Sequence, residues 1–149
     1  MEYLQESHFS EGLCNVMHNN KYGFIDKDGQ VIIPFIYDWA FEFSESLAGV
    51  LYSGKYGYIN KKNKIVIPFQ YDFAFSFVNG FAWVMNDNKK GFIDKNGNLI
   101  IDYIYDTVTY TDDNKIIVSK FNLVERFGLL DLNLNIIHDC VYENIEDLL

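Results

Sequence analysis

Four carboxylates recur at one place in the chain: Asp38, Asp72, Asp106 and Glu143 each follow a tyrosine, at Tyr37, Tyr71, Tyr105 and Tyr142. Two such groups facing one sugar within several ångströms are what glycoside hydrolysis needs. Their regular repetition argues for a structural turn instead, because Asp side chains cap nearby backbone N–H groups. His8, His18 and His138 show no metal-ligand spacing, and His18 falls in an expected hairpin turn. Cys14 and Cys140 form no CxxC pair and lie in unrelated contexts, which suggests two reduced, buried thiols. Neither a phosphate-binding GxxxxGK[ST] nor a GxGxxG, HExxH or GxSxG motif is present. No catalytic residue, cofactor or metal is therefore expected, and the chain does not read as an enzyme.

The elements that hold these residues come from a repeat. "KYGFIDKDGQVIIPFIYD" at 21–38 returns as "KYGYINKKNKIVIPFQYD" at 55–72. Gly23, Gly57, Gly91 and Gly128 are spaced 34, 34 and 37 residues apart, and the tyrosines keep the same spacings. Aligning Val16, Val50, Val84 and Val118 places the three extra residues of the last unit between Val118 and Gly128, in a hairpin loop where insertions are tolerated. Continued backwards, the phase puts Tyr3 opposite Tyr37, so the chain starts and ends at one phase. Self-similarity at a fixed period is the mark of a repeat fold.

Within each unit a run such as "LAGVLY" passes through "SGK" to "YGYIN", then through "KKN" to "KIVIP". Aromatic and β-branched enrichment between turn residues predicts three short strands. The second turn reads Asp28-Gly29, Lys62-Asn63, Asn96-Gly97 and Asn133-Leu134. Positive φ there suits Gly or Asn, so Leu134 predicts a distorted last unit. Pro34 and Pro68 are expected to end the third strand by removing a ladder donor. The recurrent glycine in the second strand reads as a packing device, with a neighbouring aromatic laid over it. Cys14 matches Ala48 and Ala82, a small buried position.

The fold class expected is all-β: four tandem three-stranded antiparallel β-meander repeats of about 34 residues. They form one domain over 1–149, with units at roughly 3–36, 37–70, 71–104 and 105–141 and terminal caps at 1–8 and 142–149. A propeller blade typically uses about 40 to 45 residues, which favours an open solenoid-like array, with a small closed propeller-like ring as the alternative. The strings "FSEGLCNV", "FSESLAGV" and "FVNGFAWV", each followed by the hairpin pattern, resemble the bacterial WG-repeat family from about Phe9 to Tyr142. Tyr22, Tyr56, Lys90 and Phe127 replace the family's Trp before each glycine. The resemblance implies an all-β binding module and carries no catalytic residues.

Net charge is −9, distributed as −6 over residues 1–50, +4 over 51–98 and −7 over 99–149. That balance argues against nucleic acid and anionic membrane and suits a basic protein partner. The start "MEYLQESH" is acidic where a signal peptide would be basic and then apolar, so a cytoplasmic location is expected. Trp39 and Phe73 follow the Tyr-Asp pairs where later units carry Thr107 and Asn144, and such tolerance marks a partly exposed contact surface. Asp112 and Asp113, in the acidic final third, are the further candidates for contact. The function expected is a non-enzymatic binding module for a protein partner, in the manner of an inhibitor or immunity protein masking a basic surface. The alternative is a receptor for a sugar or nucleotide that uses aromatic platforms.

Overall fold

The computed structural model describes residues 8–122 and 124–147. Tyr3, which the repeat phase sets opposite Tyr37, and residues 1–7 of the cap expected at 1–8 lie outside them. The first sheet holds β1 (Leu13–His18), β2 (Lys21–Asp26) and β3 (Val31–Tyr37). The second holds β4 (Trp39–Ala40), β5 (Leu47–Tyr52), β6 (Lys55–Asn60) and β7 (Ile65–Tyr71). The third holds β8 (Phe73–Ala74), β9 (Phe81–Asn86), β10 (Lys89–Asp94) and β11 (Leu99–Tyr105). The fourth holds β12 (Thr107–Tyr110), β13 (Lys115–Asn122), β14 (Val124–Asp131) and β15 (Ile136–Tyr142), before a 3-10 turn at Ile145–Asp147.

Every sheet is an antiparallel meander in chain order. The last three gain a short leading strand beyond the three expected, for example Trp39 opposite Leu51 and Ala40 opposite Val50. Two residues are too few to announce a strand by periodicity. The sheets stack on one another. Phe24, Ile33 and Tyr37 of the first pack with Ala40, Ala48 and Val50 of the second, and Tyr58 and Ile67 of the second pack with Ala82 and Val84 of the third. The principal contacts between sheets join sequence neighbours, and no sheet closes into a barrel, as an open repeat array requires.

The first hairpins turn through paired positive-φ residues, Asn19-Asn20, Ser53-Gly54 and Asp87-Asn88, as two-residue hairpins demand. In the second turns a side-chain oxygen organises the backbone. Asp26 Oδ1 accepts the N–H groups of Asp28 (3.0 Å) and Gln30 (2.9 Å), and Asn60, Asp94 and Asp131 repeat the arrangement. Leu134 departs from expectation. It takes the left-handed conformation itself, at φ 65°, and Asp131 Oδ1 still caps Asn133 and Asn135 at 2.8 and 2.9 Å. The last unit therefore keeps the turn, and the Leu134 side chain is buried beside Tyr105 and Leu130. Burial of an apolar side chain offsets the backbone cost there.

Two further expectations change. Pro34 and Pro68 do not end their strands: β3 and β7 continue to Tyr37 and Tyr71. Both prolines sit in irregular stretches, between Ile33 and Tyr37 and between Ile67 and Tyr71, on the outermost strand of each sheet, where a missing donor costs no ladder bond. The three extra residues of the last unit do not simply enlarge a loop. They lengthen β13 and β14 to eight residues each, with Phe121 opposite Glu125 and Asn122 opposite Val124.

The recurrent glycine sits beneath that irregular stretch. A Cβ on Gly23 would lie 2.6 Å from the Ile33 oxygen and 2.9 Å from Phe35 Cδ1, and on Gly57 2.7 Å from the Ile67 oxygen and 2.8 Å from Phe69 Cδ1. Phe35 and Phe69 are the expected covering aromatics. Gly91 is covered by backbone of Ile101 and Asp102, and Gly128 by the Cys140 thiol.

Candidate binding surfaces

Three of the four carboxylates after the tyrosines, Asp38, Asp72 and Asp106, are latches between sheets. Asp72 accepts Lys55 Nζ at 2.6 Å from the second sheet and the Asp87 N–H at 2.9 Å from the third. Asp38 does the same for Lys21 and the Ser53 N–H, and Asp106 for Lys89 and the Phe121 N–H. Glu143 pairs with Arg126 at 2.9 Å. The lysine hydrogen bonds hold the Asp38 and Asp72 carboxyls below their ordinary value. At Asp106 partial burial pushes upward, and Lys89 with the Phe121 N–H outweighs it. Groups held as anions by ammonium partners serve cohesion, so their role is structural, but the N–H groups that the three Asp side chains accept lie 15 residues on and not in a local turn as expected.

Among the described residues no three His, Cys, Asp or Glu side chains converge where they could hold a metal ion. His18 closes β1 rather than lying in the turn, with its ring 5.2 Å from that of Phe35. His8 meets Glu42 at 2.9 Å, and His138 lies edge-on to Tyr142. Cys14 is buried with Val16 and Ile25, as its match to alanines implies. Cys140 is only half-buried, because its place on β15 corresponds to that of Phe69 on an outermost strand, and burial raises its thiol pKa.

Trp39 and Phe73 open β4 and β8, the short strands at one edge of each sheet. Trp39 is 42% exposed and Phe73 half-buried. They belong to a continuous row of rings that crosses the sheet boundaries. Tyr22 meets Trp39 at 5.0 Å, Trp39 meets Phe41 at 6.2 Å, and Phe41 meets Phe73 at 5.7 Å and Phe75 at 6.1 Å. Trp83 then stacks on Phe73 and Phe75 at 5.2 and 5.3 Å, and Phe75 reaches Tyr110. Lys90 Nζ stands 5.7 Å over the Trp83 ring. Sequence reasoning reached two members of this row, Trp39 and Phe73. It missed Phe41 and Phe75, although both lie two residues beyond those markers at the 34-residue spacing.

Asp112 and Asp113 are exposed in the loop between β12 and β13, two and three residues beyond Tyr110 of that row. Asp113 pairs with Lys115 at 2.7 Å, and hydrogen bonds from Lys115 and Thr111 lower its pKa. Two cavities are present, one between the first and second sheets and one within the fourth sheet. One, of about 260 Å³, is lined by Ile36, Tyr37, Tyr52, Asn63, Ile65 and Phe69, and the other, of about 340 Å³, by Lys120, Asn122, Arg126, Cys140 and Val141.

Among solved structures, the extracellular domain of a one-component system from B. thetaiotaomicron is similar over 89% of this chain, at 14% identity and a TM-score of 0.51. The chain spans 23% of that protein's length, so the likeness is one of fold. A protein of unknown function from Bacteroides caccae is similar over 87% of the chain, at 13% identity and a TM-score of 0.38, and the chain covers 57% of it. No curated protein matches. The family model described as the WG containing repeat matches residues 22–56, 56–89 and 91–122. Three matches in succession, in phase with the stacked sheets, make this chain a member of the WG-repeat family.

Proposed function

We propose that the chain is a non-enzymatic binding module that takes a protein partner along its aromatic row. The observation that carries the reading is the unbroken series from Tyr22 through Trp39, Phe41, Phe73, Trp83 and Phe75 to Tyr110, part-exposed across successive sheets. Part-exposed aromatics are the residues that anchor protein interfaces. A row laid over several sheets suits an extended or flat partner better than a small molecule, which prefers a concave cleft. The net charge of −9 favours a basic partner, as a protein that masks one would need.

Affinity capture from the source organism, with wild-type and Trp39→Ala baits, tests the reading at low and high salt. Loss of one interface aromatic should weaken capture by about fivefold or more, equivalent to about 1 kcal/mol. Salt should weaken it further, since charge attraction between surfaces is screened. Equal capture by both baits, insensitive to salt, would refute the proposal.

A further inference from the structure

The two cavities share two repeat positions, Tyr52 with Lys120 and Phe69 with Cys140. Asp38 accepts the Ser53 N–H and Asp106 accepts the Phe121 N–H, so the residues just before them, Tyr52 and Lys120, are equivalent, as are Tyr37 and Tyr105. Cys140 likewise stands where Phe69 does, over Gly128 as Phe69 stands over Gly57. What differs is the chemistry that fills the positions.

At the boundary between the first and second sheets, three rings surround the cavity. Tyr37 lies 6.1 Å from Tyr52 and 6.4 Å from Phe69, and Tyr52 lies 5.4 Å from Phe69, with interplanar angles of 74°, 50° and 39°. Tyr37 forms the buried floor, its hydroxyl donating to Asn63 Oδ1 at 2.6 Å, while Tyr52 is 44% exposed. No charged side chain lines the cavity. Its 260 Å³ would admit a group somewhat larger than benzene, which fills an engineered cavity of about 150 Å³. At the next boundary Asn86 replaces the second tyrosine, and its amide donates to Tyr103 at 3.3 Å. At the third boundary Lys120 takes that place, and its ammonium sits 5.4 Å from the centre of the Tyr105 ring. The chain thus already sets an ammonium on the equivalent tyrosine where it supplies one itself.

We propose that the Tyr37–Tyr52–Phe69 cavity binds an alkylammonium group. Ring faces carry negative charge density that attracts a cation, and a quaternary or lysine-type ammonium has the apolar girth to touch more than one ring. The −9 net charge favours cation over anion, and the lack of a lining carboxylate leaves the rings as the attracting groups. The site deepens the reading of a basic partner, yet its residues are separate from the aromatic row, so each can fail alone.

The test is an NMR titration of the full chain, following the ring resonances of Tyr52 and Phe69. The probes are choline, its uncharged isostere 3,3-dimethyl-1-butanol, and a short neutral-capped peptide with one lysine. Choline should give saturable shifts and bind at least about fivefold tighter than the isostere. Tyr52→Leu, at an exposed position, should abolish the choline shifts at Phe69 without altering the fold, and Trp39→Ala should leave them intact. Binding of the lysine peptide as well as choline would assign the ammonium to a partner's side chain, and binding of choline alone to a free quaternary amine; either supports the site. Equal affinity for choline and isostere, no saturable shift with any probe, or choline binding unchanged in Tyr52→Leu would each overturn it.

Discussion

Replacing Gly57 by alanine tests why each second strand carries a glycine. The added Cβ would lie 2.7 Å from the Ile67 oxygen, 2.8 Å from Phe69 Cδ1 and 2.9 Å from the Phe69 nitrogen. Two of those three atoms are backbone, so a rotamer change cannot relieve the clash and the irregular stretch of β7 must lift from β6. Overpacking of this kind costs roughly 1–3 kcal/mol, and the backbone contacts put Gly57→Ala near the top, at about 3 kcal/mol. With a urea m-value of about 2 kcal/mol/M, the unfolding midpoint should fall by about 1.5 M. Gly54→Ala, in the same sheet, is the control: nothing lies within 4 Å of its Cβ, but φ is +82°, so it bears only backbone strain of about 1 kcal/mol. A Gly57→Ala midpoint at or above that of Gly54→Ala would refute the argument from close approach.

Stability should also follow the latches with pH. Asp38, Asp72 and Asp106 have folded pKa values below the ordinary 3.8, so their contribution is complete above that value and disappears as pH falls through the lowered ones. Melting temperature against pH should therefore drop below about pH 4, and the triple Asp→Asn variant should be less stable at pH 7 with a shallower acid fall. Leu134→Asn exchanges buried apolar surface for relief of φ 65°, and should change stability by less than about 1 kcal/mol, whereas Leu130→Ala should cost about 2–5 kcal/mol by denaturant unfolding. Excision of residues 37–70 joins Ile36 to Tyr71 in phase, and circular dichroism should show a folded, less stable protein that still unfolds cooperatively.

The repeat period carried most of the architecture into view, because the spacings that align Gly23 with Gly57 also align the strands around them. What stayed hidden depends on pairing rather than composition. Trp39–Ala40 is a strand only because Leu51 and Val50 lie opposite, and nothing local to two residues says so. Pro34 reads as a strand end until the irregular stretch beneath it is seen to rest on Gly23. Leu134 breaks the turn rule locally and is held by burial against a residue 29 positions earlier in the chain, Tyr105. Trp39 was legible as a surface residue from its polar counterparts, whereas the Tyr37–Tyr52–Phe69 cavity needs rings from two sheets and leaves no short-range signature.

The bonds that tie the start of one unit to the start of the next run in one direction and then stop. Ser10 Oγ donates to the Phe43 oxygen and Ser44 Oγ to the Phe77 oxygen, each at 2.6 Å. The Glu11 carboxylate takes the Ser46 N–H and Lys61, and Glu45 takes the Gly80 N–H and Lys95. The following step would fall to Val78 and Asn79, which have neither hydroxyl nor carboxylate, and Leu132 stands where a lysine would answer. Among the described residues the third boundary thus lacks these bonds and relies on apolar packing, the Asp106 latch, the Lys90 bond to the Asp106 backbone oxygen and the Lys120 ammonium on the Tyr105 ring. Opening free energy is therefore graded along the molecule, with the fourth sheet as the least protected foldon. In native-state hydrogen exchange, amides of β13 and β14 should trade their protons through a partial opening that leaves β5 and β6 closed.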